Sequence, residues 1–468
     1  FPTRFKVAQV TPFLKKPNLS AADPANYRPI SNLNYISKVL ERLALSRFLP
    51  HLTSAPNFNP YQSAYRKYHS TETALLYLLD NIYHNIDLGF VTALVSLDLS
   101  AAFDTIDHNI LINRLRTTFG LDGHCLSWIQ SYLCNRSQFI RVGNSVSDST
   151  TLTSGVPQGS VLGPILFSLY TSPIAHVAIS HSVFQQQYAD DTQLYVAVSA
   201  DSSTSLTLLE SCLSELYSWF SHNGLSLNPS KSEAILFGSS QRLSRFSGIN
   251  TVNIAGSPVT VSDHIKVLGV ILDSHLKFDL HTTALCKSCF FHIRALRHIR
   301  PALTFDAART VACSLVGSRL DYANSILYGA SEKNISRLQR VHSTLARVVA
   351  AIGYYDRSSS ILSRLHWLPV KQRINFKLAT LTFKIRSAQA PFYLSQHVVD
   401  YVPPRCLRSS SRNYLTVPRT NTVIGTRGFR SAAPTVWNSL PDDIRLTESL
   451  HVFKRKLKTH SYTAAFEH

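Results

Sequence analysis

The chain has 468 residues, of which 44% are hydrophobic and 10% aromatic, and this composition excludes wholesale disorder. Its length favours two or three domains over one. The 47 Lys and Arg residues outnumber the 28 Asp and Glu residues, giving a formal net charge of +19, which indicates a polyanionic partner. No apolar run approaches the roughly 20 residues of a membrane span, so nucleic acid is the expected partner and a membrane is not.

The cysteines and the N-terminal residues bear on compartment and completeness. Seven cysteines, an odd number, are scattered along the chain without the spacing of a disulfide framework, which suits a reducing, intracellular compartment. The opening FPTRFKVAQVTPFLKKP lacks the order of charged, apolar and small residues that defines a signal peptide. The chain neither begins with Met nor contains one, which indicates a fragment of a longer reading frame.

The first part of the chain predicts helices followed by a buried strand. A segment rich in Pro and Asn, 1–60, contains one stretch with apolar residues at helical spacing, ISKVLERLALSRFLPHL. The segment 70–87 opens with Ser and Thr and predicts a helix. The β-branched, apolar run VTALVSLDLS (91–100) predicts a strand buried on both faces, and 101–119 predicts a helical stripe.

The middle of the chain alternates helices with short strands. A Gly-rich loop, SGVPQGSVLGP (154–164), leads into an apolar helix. Residues 183–198 predict a strand, a tight turn and a second strand, and 205–224 predict an amphipathic helix that ends at a glycine. Two further segments, 225–238 and 264–273, predict strands. This alternation predicts an α+β core.

The second half of the chain concentrates the basic charge. After about residue 275 the pattern changes to helices with basic faces. Residues 276–350 carry eleven Lys and Arg against four Asp and Glu, and residues 364–460 carry seventeen against four. This asymmetry predicts that contact with a polyanion is concentrated in the second half.

Three aspartates lie where predicted strands end. Asp98 closes the strand 91–97, and Asp190 and Asp191 occupy the turn of the hairpin 183–198. If these strands are neighbours in one sheet, the carboxylates converge, and like charges a few ångströms apart raise one another's pKa. Mg²⁺ relieves that repulsion because it prefers hard oxygen ligands, and two such ions about 3.5–4 Å apart support in-line displacement at phosphorus.

Paired aspartates at a turn also have an ordinary structural explanation, because Asp favours turns and hydrogen-bonds its own backbone. Asp104 and Asp107 fall in the first turns of the next predicted helix, where acidic side chains interact favourably with the helix dipole. We interpret these two aspartates as structural.

Seven ordered blocks carry a resemblance to a known family. They are NYRPISNLNYISKVLER, YQSAYRKYHSTETAL, LVSLDLSAAFDTIDH, SGVPQGSVLGPILFSLY, YADDTQLY, LSLNPSKSEAILFG and IKVLGVILD. Through them the chain resembles the reverse transcriptases of non-LTR (LINE-type) retrotransposons. The resemblance implies an α+β right-hand polymerase: fingers and palm with an antiparallel sheet over 1–273, a helical thumb over 274–350, and a basic C-terminal region over 351–468.

The family pattern implies a metal site and a proton donor. Asp98 corresponds to the first palm metal ligand, helped by the backbone carbonyl of Leu99. Asp190 and Asp191 correspond to the paired aspartates, with Asp190 the more direct ligand, so the implied cofactor is Mg²⁺, two ions. Lys231 matches a lysine that could protonate the leaving pyrophosphate as a general acid, although by itself it would be interpreted as a surface lysine.

The resemblance also implies residues that contact the incoming nucleotide. Phe103 matches the steric gate that favours dNTPs over rNTPs, and the alternative is a core residue on the helical stripe. Gln158 and Gly159 match the block beneath the templating base, where glycines allow close backbone approach. Arg66 and Arg28 resemble triphosphate-binding residues of the fingers, since Arg makes bidentate phosphate contacts, and Arg28 is equally compatible with a structural role.

The segments after residue 260 resemble parts that hold the product duplex. VLGV (267–270) resembles the primer grip, and the basic helices of the thumb would bind the backbone of an RNA–DNA hybrid through salt-sensitive contacts. Within those helices, Cys286, Cys289, His292 and His298 raise the question of zinc. Their spacing matches no standard zinc motif, so buried helix thiols are the favoured interpretation.

The implied function is RNA-directed DNA synthesis, in which a primer 3′-hydroxyl attacks the α-phosphorus of a dNTP and pyrophosphate leaves. The implied partners are an RNA template, a DNA primer and dNTPs, in a cytoplasmic ribonucleoprotein and in the nucleus. No endonuclease pattern precedes the blocks and no RNase H carboxylate set follows them, so target nicking is not assigned to this chain. The alternatives are a non-catalytic RNA-binding relic, favoured by the missing Met, and a two-metal nuclease, which has no use for Phe103 or Gln158.

Overall fold

The computed structural model describes residues 1–100, 102–199, 204–353, 357–403 and 413–466. Strands and helices alternate up to residue 273, and helices dominate the described residues after it. This arrangement confirms the predicted α+β class. Across these five segments, no helix has both the length and the apolar character that crossing a membrane requires.

Among the described residues, the strands form one five-stranded sheet, one four-stranded sheet and three two-stranded sheets. Most of the strands are short. Their bounds are β1 (Val7–Leu14), β2 (Tyr27–Asn32), β3 (Val91–Leu97), β4 (Leu99–Ser100), β5 (Arg136–Val142), β6 (Ser145–Val146), β7 (Thr150–Leu152), β8 (Phe184–Tyr188), β9 (Asp191–Val198), β10 (Ser226–Leu227), β11 (Glu233–Phe237), β12 (Thr251–Ile254), β13 (Ser257–Thr260), β14 (His264–Val267) and β15 (Val270–Asp273).

The helices flank these sheets and then build the second half of the chain. Their bounds are α1 (Tyr35–Ser54), α2 (Thr71–Asp87), α3 (His108–Thr117), α4 (Gly123–Leu133), α5 (Gly163–Thr171), α6 (Ile174–Ser180), α7 (Thr204–His222), α8 (Ser240–Leu243), α9 (Asp279–Ile299), α10 (Phe305–Ala312), α11 (Ser318–Asp321), α12 (Glu332–Ala350), α13 (Ser358–Arg364), α14 (Val370–Ala388), α15 (Phe392–Ser395), α16 (Phe429–Asn438), α17 (Asp442–Arg445) and α18 (Leu450–Phe466). We call α9–α12 the thumb helices, because they fall in the region predicted to be a thumb.

The four-stranded sheet has the order β11-β3-β9-β8, and every neighbouring pair is antiparallel. β3 is almost entirely buried, as its apolar, β-branched sequence predicts. The predicted hairpin of residues 183–198 is confirmed as β8 and β9. This sheet carries the three aspartates singled out above.

The sheet separates two hydrophobic cores. One face, which includes Leu94 and Tyr195, joins the first core, shared by α2, the thumb helices and α14, α16 and α18. The opposite face, which includes Val95 and Val196, joins the second core, shared by α1 and α3–α7. The first core crosses the expected region boundaries at 273 and 350, and the division into three regions stays a prediction.

Local capping explains where two helices begin. At α2, Thr73 N donates to Ser70 Oγ (3.1 Å) and Ser70 N donates to Thr73 Oγ1 (2.9 Å), so the predicted helix start is confirmed. At α3, the Asp107 carboxylate accepts from the backbone nitrogens of Asn109 (2.8 Å) and Ile110 (2.9 Å). These bonds satisfy amide groups that an N-terminus otherwise leaves without partners.

The start of α3 corrects the helical stripe predicted over 101–119. The helix begins at His108, seven residues later than expected, because Asp107 is its N-cap. Asp107 therefore has the structural role predicted for it. Asp104 does not lie in a helix turn, so the helix-dipole explanation is wrong for that residue, and Phe103 likewise lies outside the helix.

Polar contacts attach α2 to the C-terminal region. Asp80, whose side chain is fully buried, accepts from the backbone nitrogen of Arg430 (2.8 Å) and from its Nε (2.9 Å). Asp87 accepts from the backbone nitrogens of Asn421 (2.9 Å) and Thr422 (2.7 Å). The C-terminal region is thus bound to the first half of the chain through these hydrogen bonds as well as through the first core.

Candidate active site

The paired aspartates lie at the end of a β-hairpin. A two-residue turn, Ala189–Asp190, joins β8 to β9, and Tyr188 pairs with Asp191 across it. Ala189 is buried and takes the left-handed conformation, with φ of 57°. A left-handed residue with a Cβ costs about 1–2 kcal/mol, so this turn needs support from its surroundings.

The neighbouring strand brings the third aspartate to the same place. β3 runs antiparallel beside β9 with Leu97 opposite Thr192, and Asp98 is the next residue. Asp98 therefore leaves the sheet beside the turn that carries Asp190 and Asp191. The juxtaposition follows from strand order and register, neither of which is readable from a single strand.

The three carboxylates interact electrostatically. The pKa of Asp191 is raised to about 6 by burial, followed by repulsion from Asp190 and Asp98, although part of the residue stays exposed. Burial, with Asp190 adding to it, raises the pKa of Asp98, while Lys231 and Lys15 act to lower it. A cluster of this kind is stabilised by added positive charge.

The chemistry of this donor set suits a hard divalent cation. Carboxylate oxygens from Asp98, Asp190 and Asp191 are the ligands that Mg²⁺ prefers. Within the described ranges, no group of three or more His, Cys, Asp or Glu side chains is close enough together to hold a metal ion. In this structure the three aspartates therefore act on one another through their charges, and their side chains are not already arranged as a set of metal ligands.

The thiols of α9 are buried, which agrees with the interpretation of these cysteines as buried helix thiols. Cys286 and Cys289 face the first core, and burial raises the pKa of both, that of Cys289 to about 12. His292 is half-buried and His298 is exposed. The four residues thus do not share one environment.

Gln62 stabilises the turn through its side-chain amide. Its fully buried side chain accepts from Ala189 N (2.9 Å) and donates to Ala189 O (3.1 Å). Its neighbours extend the sheet, since Ser63 N donates to Gln187 O (2.8 Å) and Gln187 N donates to Tyr61 O (3.1 Å). These bonds stabilise the strained conformation that presents Asp190.

A residue of the C-terminal region reaches the same support. The Tyr393 hydroxyl hydrogen-bonds with Ser63 Oγ (2.7 Å) and Thr73 Oγ1 (3.3 Å). Ser63 Oγ in turn accepts from the side-chain amide of Gln186 in β8 (2.8 Å). Burial raises the pKa of Tyr393 to about 12, so its hydroxyl stays protonated. A chain of buried polar groups therefore links α15 to the hairpin that carries Asp190 and Asp191.

The Gly-rich loop packs against the turn that precedes α3. The side-chain amide of Gln158 donates to both oxygens of the Asp104 carboxylate, at 3.0 and 2.9 Å. Gly155 has φ of 80°, and a Cβ there would lie 2.6 Å from the Asp104 carbonyl oxygen, so the position requires glycine. Gly159, with φ of 102°, lies against the backbone of Ser31 in β2.

Phe103 lies at the junction of that turn and the loop. Its half-buried ring stacks on the ring of Phe167 with centroids 4.7 Å apart. Its carbonyl accepts from Val156 N (2.9 Å) in the Gly-rich loop. The ring thus has core contacts on one side while its backbone anchors the loop, and the steric gate stays a prediction.

The two predicted arginines lie in different settings. Arg66 Nη1 donates to the carbonyls of Asn59 (3.4 Å), Pro60 (3.2 Å) and Gln62 (3.2 Å), and burial lowers its pKa. It therefore holds the loop that carries Gln62. Arg28 lies exposed on β2.

Lys231 and Leu99 both lie next to Asp98. Lys231 is exposed, and its charge acts against the rise that burial causes in the pKa of Asp98. Leu99 is buried in β4 opposite Leu227 of β10, and Asn228 N donates to Asp98 O (2.9 Å). These contacts fix the backbone on both sides of the first carboxylate.

The segment 267–270 forms a tight hairpin turn between β14 and β15. Leu268 and Gly269 both have positive φ, 45° and 84°. The Tyr322 hydroxyl, just after α11, donates to Leu268 O (2.7 Å). The pKa of Tyr188 is raised by burial and, second, by Tyr322. Tyr322 therefore connects the thumb helices to the β14–β15 hairpin by a hydrogen bond and acts on the β8–β9 hairpin only electrostatically.

The sequence predicts no role in the site for Gln62, Lys15 or Tyr322. Gln62 lies inside the quoted block YQSAYRKYHS, but a buried amide that supports a distant turn has no local signature. Lys15 is one of two adjacent lysines, and only the fold brings its charge near Asp98. No sequence pattern marks Tyr322.

The architecture and site agree with one family. A family model described as reverse transcriptase (RNA-dependent DNA polymerase) matches residues 14–272, which is more than half of the chain. The match spans the four-stranded sheet, the Gly-rich loop and β14. The chain therefore belongs to the reverse transcriptase family.

Its relatives are RNA-directed DNA polymerases of mobile elements. The chain is 28% identical over 395 residues to the probable RNA-directed DNA polymerase from transposon BS of Drosophila melanogaster, covering 82% of this chain and 43% of that protein. It is 26% identical over 372 residues to the RNA-directed DNA polymerase from mobile element jockey of Drosophila funebris, covering 77% and 39%. The chain thus spans about two fifths of these curated relatives.

Solved structures that are similar in fold include a telomerase and a viral polymerase. Apo telomerase from Candida tropicalis matches with a TM-score of 0.44 and 11% identity, covering 82% of this chain and 67% of that one. The insertion-loop deletion mutant of the RNA-dependent RNA polymerase of a human picobirnavirus matches with a TM-score of 0.38 and 12% identity, covering 80% and 64%. Both likenesses are distant.

Proposed function

We propose that the chain is an RNA-directed DNA polymerase that extends a primer 3′-hydroxyl on an RNA template, using dNTPs and two Mg²⁺ ions. The observation that carries this proposal is the meeting of Asp98, Asp190 and Asp191 at one end of the sheet, where Asp190 raises the pKa of both others. These aspartates would hold the ions. When bound, the ions would activate the attacking hydroxyl and stabilise the leaving oxygen.

Several residues would then act on the nucleotide. Gln62 would keep Asp190 at a constant position through its bonds to Ala189. Lys231, an exposed amine beside Asp98, would protonate the leaving pyrophosphate. Phe103 would select against a 2′-hydroxyl, with its ring held by stacking on a buried phenylalanine.

The contacts of Gln158 suggest that this residue changes partner. Its amide is bonded to Asp104, so a contact with sugar or base would replace that pair of hydrogen bonds. Arg28, exposed on the strand next to Gly159, would reach a triphosphate without losing a contact. Arg66 would act there mainly by holding the loop that carries Gln62.

The product duplex would follow the thumb. Lys287, Arg294 and Arg297 are exposed along α9 and would contact the backbone of an RNA–DNA hybrid irrespective of sequence. A polymerase that copies RNA at a chromosomal primer would work in a cytoplasmic ribonucleoprotein and in the nucleus. This part of the proposal follows from the relatives' chemistry and the positive charge.

Primer extension on an RNA template with Mg²⁺ and dNTPs tests the proposal. Wild type is compared with Asp190→Ala and with the control Asp148→Ala, whose carboxylate lies exposed in a loop away from the sheet end. We expect wild type and Asp148→Ala to extend the primer and Asp190→Ala to lose about 10²–10³-fold in rate, since a charge that would hold metal is removed.

The same assay separates the alternatives. A wild-type protein that binds the template and adds no nucleotide would support the relic. A wild-type protein that cleaves the template in an Asp190-dependent manner would support the nuclease. Either result would overturn the polymerase proposal.

A further inference from the structure

A basic cavity lies between the thumb helices and the C-terminal region. Its volume is about 880 Å³, and the described residues that line it lie between Arg309 and Lys458. One wall comes from α10 and the π-helical turn after it, and the other comes from α14 and α18. None of these described lining residues is one that we assign above to nucleotide addition.

The cavity has more positive charge than the protein neutralises. Its six cationic side chains are Arg309, Arg373, Lys377, Lys384, Lys454 and Lys458. The first three form ion pairs with Asp306, Asp321 and Glu72. Lys384, Lys454 and Lys458 form none within the described part of the chain. The three remaining positive charges can therefore bind anionic groups of a ligand.

Helix geometry concentrates these charges on one surface. Lys377, Thr380 and Lys384 are spaced by three and four residues on α14, and Lys454 and Lys458 by four on α18, so each set lies on one helix face. Burial lowers the pKa of Lys384, and the charges of Lys454 and Lys377 lower it further. Such repulsion disfavours folding and is typical of functional sites.

Thr380 supplies an independent indication of a ligand. The residue is buried, with 6% of its surface exposed, and it lies on the cavity wall. Its hydroxyl has no hydrogen-bond partner among the described residues. The hydroxyl oxygen itself is buried, so a small movement of the wall would be needed for it to donate to an acceptor in the cavity. Because buried polar groups are nearly always satisfied, a bound acceptor would supply the partner that this hydroxyl lacks.

Aromatic side chains complete the lining. His366 is exposed at the cavity, and Phe376 is half-buried beside it. The His366 ring already lies 5.5 Å from the ring of Tyr462, so a base would stack on its other side. Cationic side chains together with aromatic rings are the combination that binds single strands, where phosphates contact Lys and bases stack on rings. A duplex keeps its bases paired and stacked inside, so it would leave the aromatic side of this cavity unused.

We infer that this cavity binds a short phosphodiester segment of single-stranded RNA, outside the polymerase site. Lys384, Lys454 and Lys458 would contact phosphates, Thr380 would donate to a phosphate oxygen, and His366 would stack on a base. The inference rests on the proposed function only in naming RNA as the nucleic acid. The protein would then bind its RNA template at two places, in the polymerase site and at the C-terminal region.

Fluorescence anisotropy of the full chain with a labelled 12-nucleotide single-stranded RNA tests this. Excess unlabelled RNA–DNA duplex is present throughout the titration to occupy the proposed polymerase site. The double variant Lys384→Gln/Lys454→Gln is expected to weaken binding at least tenfold and to lower the slope of log affinity against log salt by about 1.4, as two lost single-strand phosphate contacts require. The control Arg455→Gln, exposed on α18 away from the cavity lining, is expected to change affinity less than twofold.

A second variant and a melting curve separate binding from folding. Thr380→Val keeps the shape of the side chain and is expected to weaken RNA binding about threefold, the loss of one neutral hydrogen bond. The double lysine variant is expected to melt no lower than wild type, because it removes repulsion. If both variants bind RNA as tightly as Arg455→Gln, the inference is wrong.

Two other outcomes would also overturn it. An equal loss of affinity for the RNA–DNA duplex would make the cavity part of the duplex path. Displacement of the RNA by equimolar tripolyphosphate would make it a site for small polyphosphates. Because binding is measured without nucleotide addition, failure of primer extension in wild type would overturn the proposed function and leave this test intact.

Discussion

Asp191 lies where burial and two like charges, Asp190 and Asp98, oppose its ionisation together. Its pKa of about 6 is above the value of about 3.9 for an unfolded Asp. The folded state therefore binds this proton more tightly, and stability is lost as pH rises from about 4 to about 6. The protein thus retains a charge arrangement at neutral pH that disfavours folding and that a bound cation would relieve.

Asp191→Asn should stabilise the protein in the absence of metal. We expect the free energy of unfolding at pH 7.5 to rise by about 1 kcal/mol, less than the full shift implies because the residue is partly exposed. The gain should vanish below about pH 4, where the carboxyl is protonated in both states. Urea unfolding at both pH values measures it, with Asp148→Asn as the control, and a gain independent of pH would contradict this explanation.

Gln62→Leu should destabilise the turn that presents Asp190. The backbone N–H and carbonyl of the buried Ala189 would lose their partners, which is expected to cost about 1–3 kcal/mol. Urea unfolding measures this, and Gln241→Leu, exposed on α8, is the matched control. In primer extension, kcat should fall while the KM for dNTPs changes little. If the variant loses the expected stability but keeps the kcat of wild type, Gln62 is purely structural.

At the scale of elements, α2 is unusual in directing charged residues inward. Both Asp80 and Asp87 accept hydrogen bonds from the C-terminal region. Burial acts to raise the pKa of Asp87, but hydrogen bonds from Thr422 and Asn421 outweigh it and lower the pKa. Asp80 thus binds the first turn of α16 through Arg430, and Asp87 binds the segment before that helix. We expect these charges to make the docking of the C-terminal region more specific than apolar packing alone would.

Asp80→Ala should be severely destabilising, because it leaves Arg430 partly buried without its carboxylate. We expect a loss of about 3–5 kcal/mol, and the double variant Asp80→Ala/Arg430→Ala should lose less than the sum of the single changes. Chemical unfolding of all three variants gives the coupling energy. The control Glu332→Ala, which breaks the exposed ion pair with Lys371, should cost less than about 1 kcal/mol. An equally small cost for Asp80→Ala would show that the buried ion pair does not stabilise the protein.

At the scale of the whole molecule, the first core makes the two halves of the chain interdependent. Residues such as Phe429, Trp437 and Phe453 are buried against the same cluster as Leu79 and Ile82 of α2. Burying one such side chain contributes about 1.5–3 kcal/mol, while a domain's net stability is only about 5–15 kcal/mol. The C-terminal helices therefore supply stability that the polymerase half cannot replace.

A chain truncated after residue 353 should not fold to a stable polymerase. It would expose the α2 side of the first core and leave the buried Asp80 without a partner. Near-ultraviolet circular dichroism and limited proteolysis, with the full chain in parallel, should report loss of fixed tertiary structure. A truncated protein that resists proteolysis and extends primers would contradict this prediction.

Local patterns in the sequence determined much of the fold and part of the site. Hydrophobic periodicity and turn residues act over a few positions, and they predicted β3, the β8–β9 hairpin with Asp190 and Asp191, and the start of α2. They failed at α3, where a helix-compatible stripe continues N-terminal to the residue that caps the helix, Asp107.

Only the tertiary structure decided which distant groups meet. The bond from Gln62 to Ala189 spans 127 residues, that from Ser63 to Tyr393 spans 330, and that from Asp80 to Arg430 spans 350. A buried polar group must find a partner, but its sequence neighbours carry no information about which one. The sequence alone therefore determined the turn that carries Asp190 and Asp191, together with its charges. Packing decided what holds that turn in place and brought the C-terminal helices to the polymerase half.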